Sequence, residues 1–158
     1  MGLDMYLSRK AYIANYEHDA EGKVLGQAIL QALGVKQPER YNNGGIVVSL
    51  PEGYWRKANA IHGWFVREVQ DGEDNCQESE VSIDQLQTLK ALCEQVLADR
   101  TLAPELLPIQ AGFFFGGKEY DNWYFVDLEH TLAICNHALD PANQLGKYGD
   151  TFVYQASW

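Results

Sequence analysis

The chain lacks most of the signals that assign a function quickly. Its first ten residues, MGLDMYLSRK, hold no apolar run of signal-peptide length. No stretch approaches the roughly 18 consecutive apolar residues of a membrane span. The Met-Gly start is followed at position 6 by Tyr6, so the myristoylation pattern fails. Cysteine is scarce: Cys76, Cys93 and Cys135 are odd in number, widely spaced and form no CxxC. They read as reduced thiols of a cytoplasmic protein. Positive charge is scarce too. Twelve Lys and Arg stand against 22 Asp and Glu, a formal net charge of −10. That balance disfavours generic binding to nucleic acid or to an anionic membrane, because phosphate contact rests on Lys and Arg. It suits a soluble protein, or one that meets a basic partner surface.

Catalytic and metal signatures are equally thin. There is no GxSxG, no GxGxxG and no GxxxxGK[ST]. Helix-turn-helix, zinc-finger and RNA-recognition signatures are absent. His130 and His137 share a helix stripe at i and i+7, about 10 Å apart by helical rise, too far for one ion. The acidic DGEDN of 71–75 lacks the ligand order of a calcium loop. No metal and no cofactor is expected.

What is present is a core. The chain has 158 residues, 46% of them hydrophobic, with 6 Phe, 9 Tyr and 4 Trp, which argues against disorder. That length fits a single domain over residues 1–158, burying about two-thirds of its unfolded surface. Residues 3–9 alternate Leu3, Met5 and Leu7 against Asp4, Tyr6 and Ser8, the pattern of a half-buried strand. Val24, Leu25, Ala28, Ile29, Ala32 and Leu33 recur at helical spacing over 20–33, and Gly34 is a stop signal. Residues 37–45 read as loop. IVVSL (46–50) is a short strand ended by Pro51, and ESEVS (78–82) is another. Ser82 and Gln85 form a capping box ahead of the stripe Ile83, Leu86, Leu89, Leu92, Cys93, Val96, Leu97. Asp121 caps a further helix carrying Tyr124, Leu128, Thr131, Leu132, Cys135, Ala138 and Leu139, closed by Pro141. The final TFVYQASW alternates as a strand and is a pairing partner for the first. These elements predict an α+β fold, about four helices on a small, mainly antiparallel sheet.

The stretch GYWRKANAIHGWFV (53–66) is the densest in unusual residues. At 100° steps, Tyr54, Trp55, Ala58, Ile61, His62, Phe65, Val66 and Val69 fall within about 140°, a core-facing stripe. Arg56, Lys57, Trp64 and Arg67 fall outside it, on a charged face. Asn59 lies on the border, and its amide suits clamping a loop. His62 inside the stripe suits a core histidine with satisfied nitrogens; as an acid–base residue it would pair with Asp71 or Asp121. Trp64 is either covered by another segment or available to a partner, and Trp and Arg dominate interaction hot spots. The second stretch is GFFFGGKEYDNWYF (112–125). Gly116 and Gly117 suit a turn after a buried strand. Alternatively Gly117 and Lys118 let an anionic group approach the helix at Asp121, with Tyr120, Trp123 and Tyr124 as stacking walls.

Taken together, MGLDMYL, GYWRKANAIHGWFV, QDGEDNC, the LLP of 106–108, GFFFGG and YDNWYF resemble a family of small proteins of bacteria and their phages. The matching segments cover residues 1–12 and 53–139. The resemblance implies a setting and no reaction: in phages, host-directed inhibitors of defence systems or binders that sequester a signalling nucleotide. The leading expectation is a noncatalytic binding protein acting on a protein partner, through the polar face of 54–69 and the 112–125 segment. The alternative is a binder of an anionic small molecule met by Arg56, Lys57, Arg67 or Lys118. An enzyme using His62 ranks third. Self-association stays open. A pocket containing His62, Asn59, Tyr120 and a basic residue would favour the ligand or the enzyme; a convex surface with exposed Trp64 would favour the protein partner.

Overall fold

The computed structural model describes residues 2–36, 44–112 and 115–158. The fold is α+β: five α-helices and a four-stranded sheet among the described residues. The chain runs β1 (Asp4–Ile13), α1 (Ala20–Leu33), β2 (Ile46–Arg56), α2 (Asn59–Glu68), β3 (Ser79–Val81), α3 (Ile83–Ala98), α4 (Ala103–Leu106), α5 (Asn122–Leu139) and β4 (Asp150–Ser157). The strand order is β2-β1-β4-β3, so the terminal strand does lie beside the first. β3 pairs antiparallel with β4, Val81 opposite Phe152. Most of the expected 37–45 loop, residues 37–43, lies outside the described residues, as do Phe113 and Phe114. No described helix is long and apolar enough to cross a membrane.

The chain divides into two compact units, one of residues 1–9, 51–143 and 151–158, the other of 10–50 and 144–150. The larger unit holds the main core. Met5 and Leu7 of β1 and Leu3 just before it lie in this core, as their alternation predicts, and so do Phe152, Tyr154 and Ala156 of β4. Arg9 takes the next inward place on β1 and is buried. Its guanidinium pairs with Glu52 at 2.7 Å and donates to the carbonyls of His137 (3.4 Å) and Ala138 (3.0 Å) in the last turn of α5. It thus adds hydrogen bonds to carbonyls at the negative end of that helix. Burial pushes the Glu52 carboxyl up, but hydrogen bonds from Arg9 and His137 outweigh it and hold the group below its ordinary value.

Two boundaries correct the sequence reading. β2 does not stop at Pro51 but continues to Arg56, and α2 begins at Asn59, not near Tyr54. Proline is tolerated because β2 is an edge strand, where a missing N–H breaks no ladder. The Trp55 indole is therefore delivered to the core from a strand, and its Nε1 donates to Thr131 Oγ1 at 2.8 Å. Local signals elsewhere act as expected. Ser82 and Gln85 form a reciprocal capping box, and Asp121 accepts from the amides of Trp123 (2.9 Å) and Tyr124 (3.1 Å).

The smaller unit is thinly packed. Asp19 caps α1 through Gly22 N (3.2 Å) and also accepts from Lys147 (3.2 Å) and Tyr148 (3.0 Å). Gly34 ends the helix in the left-handed conformation, φ 67°. No residue of α1 is buried.

Candidate functional site

A cavity of about 330 Å³ opens in the larger unit between the start of α2 and the first half of α5. One wall comes from the β2–α2 junction: Arg56, Lys57, Ala58, Asn59, Ala60 and Ile61. Gly116, Gly117 and Glu119 form a second, and Asp121, which caps α5, with Trp123, Tyr124, Asp127 and Leu128 of that helix a third. Six expected site residues meet here: Arg56, Lys57, Asn59, Gly117, Asp121 and Trp123.

The junction is built by a constrained turn. Lys57 has φ 61°, a left-handed backbone unusual for a residue with a side chain. Its N–H donates to Leu3 O (2.8 Å), and its carbonyl accepts from Asn59 N (2.9 Å). Gly116 packs directly over that carbonyl; a Cβ at Gly116 would lie 2.8 Å from Lys57 O. Asn59 Nδ2 donates to Gly117 O at 2.7 Å, so the amide clamps the glycine loop onto the helix start. No side chain caps α2. The amides of Ala60 and Ile61, in its first turn, donate to no described residue and lie in the cavity wall. Free amides at a helix start favour an anion.

The facing wall is acidic. Asp127 is half-buried, and its carboxylate makes no hydrogen bond among the described residues. Burial pushes its pKa up to about 6; Asp121 adds to the shift and His130 opposes it. Sequence reading missed Asp127. Its signal was an aspartate three residues after Tyr124 and four before Thr131, inside an apolar stripe. The Trp123 indole at the rim is 75% exposed.

The remaining expected residues go elsewhere. Trp64 is only 2% exposed, which corrects its place on a charged outer face. It packs edge-on to Phe65 (5.1 Å), beside Thr88 and Leu92 of α3 and the 105–108 segment. All of Asn59–Val66 is buried, so α2 is enclosed on every side over its first eight residues and exposed only at its end. Arg67 is exposed next to Trp64, away from the cavity. Lys118 is exposed and outside the lining. Tyr120 rests against Tyr124 (5.0 Å), and its hydroxyl accepts from Ile109 N at 3.4 Å. Gly116 and Gly117 follow no strand among the described residues.

His62 is wholly buried, as the core reading expects. Nδ1 lies 2.8 Å from the Tyr154 hydroxyl and Nε2 2.9 Å from Asp74, not Asp71 or Asp121. Asp74 also accepts from Trp158 Nε1 at 3.0 Å. Burial pushes the Tyr154 hydroxyl up, so it remains a donor. The imidazole thus ties three segments together and is not in the cavity wall. Among the described residues, no group of three or more His, Cys, Asp or Glu could hold a metal.

Comparison with known protein families, with characterised proteins and with solved structures finds no match.

Proposed function

We propose that the protein is a noncatalytic binding protein whose ligand is a small, nucleotide-like anion held in the cavity between α2 and α5. The observation that carries this reading is the cavity itself. It joins two distant chain segments and sets a basic, amide-rich wall opposite an unpaired carboxylate. Its volume suits a mononucleotide-sized ligand. A phosphate fits the Ala60 and Ile61 amides with Arg56 and Lys57 beside them. A base stacks on Trp123, and its amino edge donates to Asp127. A bacterial or phage setting suits a protein that sequesters a signalling nucleotide. The reading of a protein partner through Trp64 loses its anchor, since that indole is covered. One observation keeps a second reading: exposed Trp123, with Tyr120 and Val126 also exposed, offers aromatic surface to a protein, including a defence component.

Thermal unfolding with AMP, GMP and ribose 5-phosphate tests the proposal. At 100 times its Kd, a bound nucleotide should stabilise the protein by about 2.7 kcal/mol. Arg56→Glu should remove that shift while leaving the unliganded melting temperature close to wild type, because the side chain is exposed. No stabilisation by any nucleotide at millimolar concentration would sink it. Capture of a host protein lost in Trp123→Ala would favour the second reading.

A further inference from the structure

The helix α1 presents its apolar stripe to solvent. Val24, Ala28 and Ala32 recur every fourth residue, with Leu25 alongside, and all four are exposed. Val24 is 68% and Leu33 69% exposed. The half-buried side of α1 is instead Gly22, Gly26, Ile29 and Leu30. A solvated helix normally turns charge outward. Residues 24–35, VLGQAILQALGV, carry none.

We infer that α1 is a homodimer interface, packed antiparallel against α1 of a second copy across a two-fold axis near Ala28. Two features select a second copy over an unrelated partner. The first is charge partition. The unit containing α1 has five Lys or Arg against five Asp or Glu, whereas the other has seven against 17. The whole net charge of −10 thus lies outside the α1 unit, and two such chains meet there without net repulsion. The second is self-complementarity, which a two-fold interface demands. Glu21, on the same helical face as Ala28, stands before the uncharged run and Lys36 beyond it; Lys23, which bounds the run, is turned about 140° from Ala28. An antiparallel pair centred between Ala28 and Ile29 sets Glu21 of each copy against Lys36 of its mate. Glu21 can take part: its side chain is 88% exposed, and its ion pair with Lys147 is long, at 3.8 Å. Alanines at 28 and 32 allow close approach of the helices.

Light scattering on the eluting protein at about 100 μM should give twice the 17.8 kDa chain mass. Ala28→Glu should give the monomer with helical content unchanged, while Gln27→Glu, turned about 100° away, stays dimeric. Ala28→Cys should form an intermolecular disulfide under mild oxidation and Gln27→Cys should not, which decides the matter if the glutamate disturbs the helix. A monomeric wild type overturns the inference and leaves the stripe to a different protein. A dimer that survives Ala28→Glu, or that yields no Ala28→Cys cross-link, overturns it as well.

Discussion

Replacing Asp127 with asparagine should stabilise the protein at neutral pH. The carboxyl titrates near 6 in the folded chain, against an ordinary value of 3.8. A raised carboxyl favours folding while it is protonated in both states, below about pH 4. Between about 4 and 6 the folded chain holds the proton that the unfolded chain has released, so this contribution is lost as pH rises. Two units at about 1.4 kcal/mol each give a ceiling near 3 kcal/mol, and solvent reaching the half-buried group lowers that to about 1–3 kcal/mol. Asparagine mimics the neutral form at every pH. The stability difference between variant and wild type should therefore be close to zero at pH 4, grow through pH 6 and level off above pH 7. Urea unfolding of both proteins across this range measures it. At about 2–4 °C per kcal/mol for a chain of this size, the melting temperature at pH 7.5 should rise by several degrees. Taking the difference removes carboxylates such as Glu52 and Asp99, whose lowered values act in the opposite direction. A constant difference between pH 4 and 7.5, or an asparagine variant less stable at neutral pH, would refute the argument. Either would mean that water or a cation already satisfies the group.

Adjacent aromatics of α2 should behave alike: Phe65→Ala and Trp64→Ala should each cost about 3–5 kcal/mol in chemical denaturation, because both are core residues. A Trp64 variant losing less than about 1 kcal/mol would show that its cover opens in solution. A thiol reagent should label one cysteine quickly in the native protein. Cys76 is half-buried, whereas Cys93 and Cys135 are buried and burial raises both thiols, Cys135 to about 12. Rapid labelling of all three would refute the burial of the α3–α5 pair.

What could be read from sequence was what neighbouring residues decide. Ser82 with Gln85, Asp121 and Gly34 each act on a backbone group within a few positions, so their spacing was enough. The β1 and β4 alternation was legible for the same reason. Pro51 misled because its cost depends on whether β2 is central or at an edge, which only the strand order decides. The 100° projection failed at Trp64 because it assumes one wet face along the whole helix, and Asn59–Val66 has none. His62 was correctly placed in the core, yet its partner Asp74 was not identified. A loop's path fixes which of several nearby carboxylates arrives.

The cavity was half legible, and the missing half explains how it forms. Arg56, Lys57 and Asn59 were expected on one helix, but Arg56 ends β2, Lys57 makes the turn and Asn59 opens α2. That turn holds Lys57 in a left-handed conformation, a strain of about 1–3 kcal/mol that survives only where the surroundings over-determine it. Here three contacts do so: Leu3 O on the Lys57 amide, Asn59 N on its carbonyl, and Gly116 packed above. The same turn ends β2 and starts α2 without a capping side chain. The Ala60 and Ile61 amides are consequently left without a partner among the described residues, at the cavity's edge. A serine or aspartate at position 58 would cap α2 and occupy the amides on which the proposed anion site rests. Ala58 stands there instead, buried and without a polar atom on its side chain. The uncapped start is therefore one physical consequence of the sequence KANA, and the proposed anion site rests on it.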